Sequence, residues 1–515
     1  MQQPADLSWI RAVQPEGRPI HLSSTMSCPD RMQAPPAASS DNARFADVLA
    51  AALRTWDQHS GDDGVFTMAL PLQGVDPLQQ LPLLEASHPF RFLWDGAPGL
   101  CLAASGHCNH LDLAGPKRFE LAQRFSDATL ARLIDASPEA PAQARSRVLL
   151  AFSFFADPAE QRTQPNDDAV PAVQAVLPRW QLSRHGRQGW LRIHGAAHHS
   201  GDVRELVEAL WELNERLQAP LRQVESIPAA TWHGPVGALS DARPWQQCYA
   251  PALEQGIALV NGGELHKLVL AVRQSIALQD PLDPLPLLDR LRQQQAGSCR
   301  FLWQRTSNDA FFGASPERLL SLRGGQLRSD ALAGTAGQGD CGDALLQSDK
   351  DRREHELVVQ AITEHLQEQG LQPHRPRRPQ LARHGRLVHL HTPITAAAPN
   401  HPPLSLAEAL HPTPAVAGLP RREAMTWLRS LEPFERGGYA APVGWIDSAG
   451  DAELRVAIRC GHARGNRLAL TAGAGLVRGS LADRELQEVG LKLAVLADQL
   501  DLRSGSRERT QAPIH

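Results

Sequence analysis

The chain has 515 residues, 42% hydrophobic and 21% charged, with a formal net charge of −4. That apolar fraction supports a large core and excludes global disorder, a collagen-like fibre and a disulfide miniprotein; the near-balanced charge offers no footprint for nucleic acid or an anionic membrane. Seven scattered cysteines without a CxxC pair, an amino terminus lacking a signal-peptide core and no apolar run of about 18 residues predict a soluble cytoplasmic protein that spans no membrane. Arginine is the default cation, because Lys117, Lys267, Lys350 and Lys492 are the only lysines. A retained lysine can lose a proton near neutral pH, which a guanidinium cannot.

Residues 1–45, containing QAPPAASSDNAR, read as a flexible leader, with a short helix from Arg44 to Leu53 at its end. Strands are expected over 90–104, 147–155 and 180–194. A helix is expected over 201–218, where Val203, Leu206, Val207, Leu210, Leu213 and Leu217 share one face. The Pro-, Gly- and Ser-bearing stretch Ile227–Arg243 is the best internal seam; it divides a first half, 46–235, from a second, 236–503, followed by a flexible tail, 504–515. The second half alternates strands (265–276, 299–305, 309–314, 317–323, 386–394, 439–447, 452–460, 467–473) with helices (244–261, 283–295, 348–370, 405–411, 420–431, 481–500). Arg-Phe-Leu-Trp occurs at 91–94 and again at 300–303, a hint that the halves share a hairpin geometry. The connector 371–383, rich in proline and arginine, reads as a solvated loop.

Titratable groups meet apolar faces at four places. In HKLVLAVR, Lys267 sits on a sheet strand among aliphatic residues, either solvated at an edge or half-buried, where desolvation would make its ammonium a usable base. Glu354 follows Asp349 and Asp351 in the helix after Ser348 but lies on that helix's apolar stripe, so it either complements the helix dipole or points into a site. On the last long helix Glu485, Glu488 and Lys492 form a second stripe beside the core stripe. This is an ordinary Glu488–Lys492 ion pair or, joined by Glu354, an oxygen set for a dication such as Mg2+. Lastly, LRVAIR puts Arg455, Ala457 and Arg459 on one face, and Gly473 and Gly475 in LTAGAGLVRG let backbone amides approach an anion. GAGLVRG and GTAGQGD lack the spacing of nucleotide loops. His194, His198 and His199 have no partner expected of a metal site; of His389 and His391, one reaching a ligand is the reading, not both binding zinc.

The motifs GASPERL (313–319), LAGT (332–335), DRREHELVV (351–359), HLHTPI (389–394), LHPTPAVAG (410–418), YAAPVGWID (439–447), AGAG (472–475) and ELQEVGLK (485–492) fall in order across about 240–503. Together they resemble the chorismate-utilising enzymes. The resemblance implies one large α/β (α+β) domain like anthranilate synthase component I, with two mainly antiparallel sheets packed on each other, helices outside and the site between. Lys267, combined with Ala333 where the aminodeoxychorismate synthases have a lysine, implies the water-adding branch, the isochorismate synthases. Salicylate synthase, which goes on to eliminate pyruvate, is the alternative. The same resemblance implies Lys267 as base to the attacking water and Glu317 as acid to the C4 hydroxyl. Mg2+ would be held by Glu354 and Glu488, with Glu485 through water. Tyr439, Arg459, Gly473 and Gly475 would hold the enolpyruvyl carboxylate, Thr335 and His389 would line the ring, and Lys492 would pair with acidic groups. A monomer without an obligatory glutaminase subunit is implied as well. Val489 and Leu491 depart from the threonine and polar residue common in relatives.

Overall fold

The computed structural model describes residues 38–59, 64–84, 88–96, 99–157, 170–218, 244–278, 280–337 and 342–500. Contacts separate two compact units, Met1–Ala46 and Asp47–His515. Of the first, only Ala38–Ala46 is described, as the beginning of a helix Ala38–Gln58 that starts earlier and ends later than the sequence suggested. Residues 1–37 of the expected leader, the seam at 227–243 with its boundary near 235, and the tail lie outside the described residues. No helix among the described residues is long and apolar enough to cross a membrane.

The strands of the second unit build a twelve-stranded and a nine-stranded sheet. Neighbours run antiparallel, as expected, except where Val65–Gln73 pairs in parallel with Leu133–Asp135. The twelve-stranded sheet is continuous across the two halves. From its centre one half runs Cys299–Thr306, Asp309–Ser315, Cys460–Arg464, Arg467–Val477, Lys267–Ala277 and Gly418–Leu419. The other runs Arg91–Asp95, Cys101–Ser105, Trp180–His185, Gln188–Ala196, Val65–Gln73 and Leu133–Asp135. The order is the same on both sides of a pseudo-two-fold axis, and the repeated tetrapeptides sit on that axis. Leu93 pairs with Leu302, Phe92 with Trp303 and Trp94 with Phe301. The Phe92 and Trp303 rings meet edge to face at 5.9 Å, and the cross-strand aromatic pairs bury the seam between the halves.

Corresponding hairpins turn at Gly186 and Gly465, whose φ values of 61° and 53° belong to the left-handed region that glycine adopts without a Cβ clash. Counted from those turns, Gln188 matches Arg467, so Arg192, His194 and Ala196 match Thr471, Gly473 and Gly475. In the first half this position is filled. Arg192 donates to Ala144 O, Thr67 Oγ1 and Asp135 Oδ1, and the buried His194 bridges Pro178 O and Ser146 Oγ. His194 is thus a satisfied core residue, while His198 and His199 use their backbone N–H groups to bond Asp202 at a helix start.

Other differences from the sequence reading are local. The expected single strands 90–104 and 180–194 are each hairpins, and 452–460 breaks after Val456 as the chain leaves the nine-stranded sheet for the twelve-stranded one. Arg459 therefore does not share a strand face with Arg455; it sits in the break at φ 53°. An edge strand, Gln380–His384, occupies the end of the proline-arginine connector.

One fully buried ion pair ties this region together. Arg436 meets Glu432 at 2.6 Å and donates to Val269 O and Val416 O, while Glu432 accepts from Ala271 N at 2.8 Å. Arg436→Met removes the Arg436 guanidinium from the buried Glu432 carboxylate, and urea denaturation should show a loss of about 3–5 kcal/mol. A loss under about 1 kcal/mol would mean that the pair does not brace the strand.

Candidate active site

Lys267 begins the strand Lys267–Ala277, one place in from the sheet edge, where it pairs with Leu419 on one side and Val477 on the other. It is 1% exposed, so the solvated-edge alternative fails. Nor is it a lone amine among aliphatic groups, as the alternation suggested: its Nζ meets Glu354 Oε1 at 3.0 Å. Ser348 caps the helix Asp349–Glu368, its side chain accepting from Asp351 N, and so sets the rotation that turns Glu354 inward. The pair lies against bare backbone. A Cβ on Gly475 would come within 2.4 Å of Glu354 Oε1 and 3.1 Å of Lys267 Cε.

The register also orients the glycine amides. Val269 N and Ala271 N donate to Ala417 O and Glu432, away from the strand Arg467–Val477. Their partners Gly475 and Gly473 are therefore in non-hydrogen-bonded pairs and turn their N–H and C=O groups to the opposite edge. Lys492 Nζ meets Gly473 O there at 2.8 Å.

Glu317 and Arg459 lie on the two crossings between the sheets. Glu317 follows the strand Asp309–Ser315 of one sheet and precedes Arg318–Arg323 of the other. Val456 N donates to Glu317 O at 3.1 Å and Ala314 N to Arg459 O at 3.1 Å, so each crossing clamps the other. Burial pushes the Glu317 carboxyl up to about 7, although Lys267 and Arg459 pull it back. Thr413 Oγ1 donates to it at 3.5 Å. Arg459 and Ala440, the residue after Tyr439, hold positive φ values of 53° and 62°. Such non-glycine backbone is strained, and the bonds Ala440 N to Ala457 O and Ala457 N to Ala441 O fix it.

His389 is buried in the nine-stranded sheet. Its Nδ1 lies 2.9 Å from Gly334 O, which can only accept, so Nδ1 carries the proton and Nε2 presents a lone pair 3.5 Å from Arg459 Nη2. Burial and the Arg459 charge hold its pKa well below the ordinary value, which keeps the ring neutral. Thr335 Oγ1 is 3.3 Å from the same ring. His391 instead pairs with Asp330 at 3.1 Å. Burial raises the Tyr439 phenol, which stays protonated.

On the helix Ala482–Ala497, Glu488 meets Lys492 at 2.5 Å, and Glu485, 1% exposed, meets Lys350 at 2.7 Å. Burial raises Glu488, but Lys492, Lys350 and Arg459 outweigh it and hold the carboxyl below its usual range. Glu485 is raised by burial and by Glu488, against Lys350. One pocket between the sheets gathers Lys267, Glu317, Thr335, Glu354, His389, Tyr439, Arg459, Gly473, Gly475, Glu488 and Lys492; Glu485 is not among its lining residues. Ala415 and Val416 of the LHPTPAVAG loop and Thr471 also line it without having been singled out, as does Ala333, which the sequence reading used only to tell the branches apart. Among the described residues no three acidic, histidine or cysteine groups are drawn into a metal-holding cluster. Instead, Glu354, Glu485 and Glu488 each meet a lysine.

A family profile of chorismate binding enzymes matches residues 49–501. The salicylate biosynthesis isochorismate synthase of Pseudomonas aeruginosa is 34% identical over 443 residues, 84% of this chain and 90% of that protein. The isochorismate synthase EntC of Escherichia coli is 38% identical over 269 residues, 51% of this chain and 69% of that protein. Among solved structures, the menaquinone-specific isochorismate synthase MenF from Escherichia coli superposes with a TM-score of 0.66 at 24% identity, covering 88% of this chain and all of that one. Anthranilate synthase component I from Streptococcus pneumoniae follows at 0.61 and 16%, covering 82% and 97%. The last two likenesses fix the fold, two mainly antiparallel sheets with outer helices. On the family match over nearly the whole described length, the chain belongs to the chorismate-binding enzymes.

Proposed function

We propose that this protein is an isochorismate synthase, an isomerase that adds water at C2 of chorismate as the C4 hydroxyl leaves. The observation that carries the reading is a pocket lined by the amine of Lys267 and the carboxyl of Glu317, which burial raises to about 7, with Ala333 where the aminodeoxychorismate synthases have a lysine. The relatives named above, isochorismate synthases at 34% and 38% identity, support it.

Lys267 takes the proton of the attacking water at Nζ. The ring double bonds shift, and Glu317 gives its proton to the departing hydroxyl, so one water enters and one leaves. Arg459, the Tyr439 hydroxyl and the outward N–H groups of Gly473 and Gly475 bind the enolpyruvyl carboxylate; the neutral His389 and Thr335 position the ring. The hard oxygen donors Glu354 and Glu488, with Glu485 behind them, suit Mg2+. Held by them, Mg2+ would supply positive charge to the ring carboxylate of the substrate. The same reading makes the enzyme a cytoplasmic monomer acting without a glutaminase subunit.

Purified protein given chorismate and Mg2+ should yield isochorismate by liquid chromatography. Chelation with EDTA should abolish turnover, and added Mg2+ should restore it. Free pyruvate and salicylate as the products would replace this reading with a salicylate synthase. Gly475→Ala drives a methyl into the Lys267–Glu354 contact; displacement of these groups should lower kcat about 10²-fold in a folded protein. Unchanged kcat would show that their placement is not critical.

A further inference from the structure

Three of the chain's four lysines each hold one of three glutamates: Lys267 holds Glu354, Lys492 holds Glu488 and Lys350 holds Glu485. Each contact sets one lysine against one carboxylate, so a dication entering among these glutamates competes with a lysine for its carboxylate. Lys267 and Lys492 line the pocket itself. Lys350 does not, and it has solvent beside it: its side chain is 25% exposed while that of Glu485 is 1% exposed.

Two observations mark Lys350 as more than a surface partner. It lies in the first turn of the helix Asp349–Glu368, where the positive end of the helix dipole disfavours a cation, so the helix itself gives no reason for a lysine there. Its ammonium also lies 2.7 Å from the carboxylate of Glu485, which shares the helix Ala482–Ala497 with Glu488 one turn on.

We propose that Lys350 is a tethered stand-in cation, whose ammonium holds the Glu485 carboxylate in the metal-free protein and swings to solvent when the dication binds. This rests on the reading that Glu354, Glu485 and Glu488 hold Mg2+. Lys350 then keeps the buried Glu485 from standing as an unpaired negative charge, and it sets the metal concentration at which the site loads.

The test uses full-length, EDTA-treated protein without substrate, titrated with Mn2+ while the free ion is followed by electron paramagnetic resonance. Lys350→Gln should bind Mn2+ about tenfold more tightly than wild type. Lys350→Arg, which keeps a tethered cation, and Arg353→Gln, which removes an exposed charge from the same helix, should stay within about twofold. In metal-free buffer Lys350→Gln should melt below wild type and regain that difference with Mg2+. Acetylation of Lys350 by acetic anhydride, read by mass spectrometry, should rise several-fold when Mg2+ is added, with Lys117 as the unaffected reference. Equal Mn2+ affinity in wild type and Lys350→Gln, equal gains in Lys350→Gln and Arg353→Gln, or unchanged labelling would each overturn the proposal while leaving the metal site standing. If wild type binds no Mn2+ even with chorismate present, the metal reading falls as well.

Discussion

Lys267→Met is expected to cut conversion of chorismate by about 10²–10⁴-fold, with the protein still folded. Methionine keeps the length and the packing of a side chain that is 1% exposed, and removes only the amine. It also leaves Glu354 without its partner at 3.0 Å, so a drop in stability of about 3–5 kcal/mol should accompany the change. Circular dichroism and a melting curve separate that effect from the chemistry, because the rate loss should persist at temperatures where the variant is fully folded. Lys267→Arg sharpens the result. It restores the charge next to Glu354 but cannot give up a proton, so it should be as inactive as the methionine variant. Turnover at the original rate in either variant would remove water activation at this position.

Glu317→Gln should cost about as much, about 10²–10⁴-fold, and should also change the shape of the pH profile. Burial is the leading influence on this carboxyl and favours its protonated form, up to about pH 7. A general acid is active while it holds its proton, so the share of the rate that depends on Glu317 should be full below pH 7 and fall about tenfold per unit above it, while the base Lys267 acts in the opposite sense in wild type and variant alike. Glutamine occupies the same space and accepts from Thr413, but has no proton to lose in that range, so the alkaline limb attributable to residue 317 should vanish. A ratio of wild-type to Glu317→Gln rates that climbs from pH 7 to 9 would invert the assignment and make Glu317 a base.

The periodic elements were the most readable parts of this sequence. The helix Ser200–Gln218 lies within one residue of its expected start, because Val203, Leu206, Val207 and Leu210 leave no other way to share a face. Glu354, Glu485, Glu488 and Lys492 could be picked out because each breaks or flanks an apolar stripe. The strand Gln326–Gly337, which carries Gly334 and Thr335 to the pocket, was not foreseen: Ala, Gly, Ser and Asp have little strand propensity, and only its burial among neighbours in the nine-stranded sheet makes it a strand. Val65–Gln73 was missed for want of alternation, since both its faces are covered. The Lys267–Glu354 and Lys350–Glu485 contacts could not be read either, because they depend on how a helix is rotated against a strand or a second helix far along the chain. The scarcity of lysine was the usable signal, and it singled out Lys350 without saying what it touches. Most of the site was legible through the family motifs, whose order carried information that no single spacing did.

The pseudo-two-fold sheet has a bearing on how this protein can change over generations. Every residue lining the pocket lies between Lys267 and Lys492, although the first half supplies six of the twelve strands. Where the second half has Thr471 and the bare Gly473, the first half has Arg192 and His194 plugging the corresponding hollow with bonds of their own. Selection on turnover thus acts on one copy of a duplicated pattern, and the other answers only to volume and hydrogen bonding. Homologous sequences should drift fastest along Val65–Gln218 and hold steady around the lysine strand.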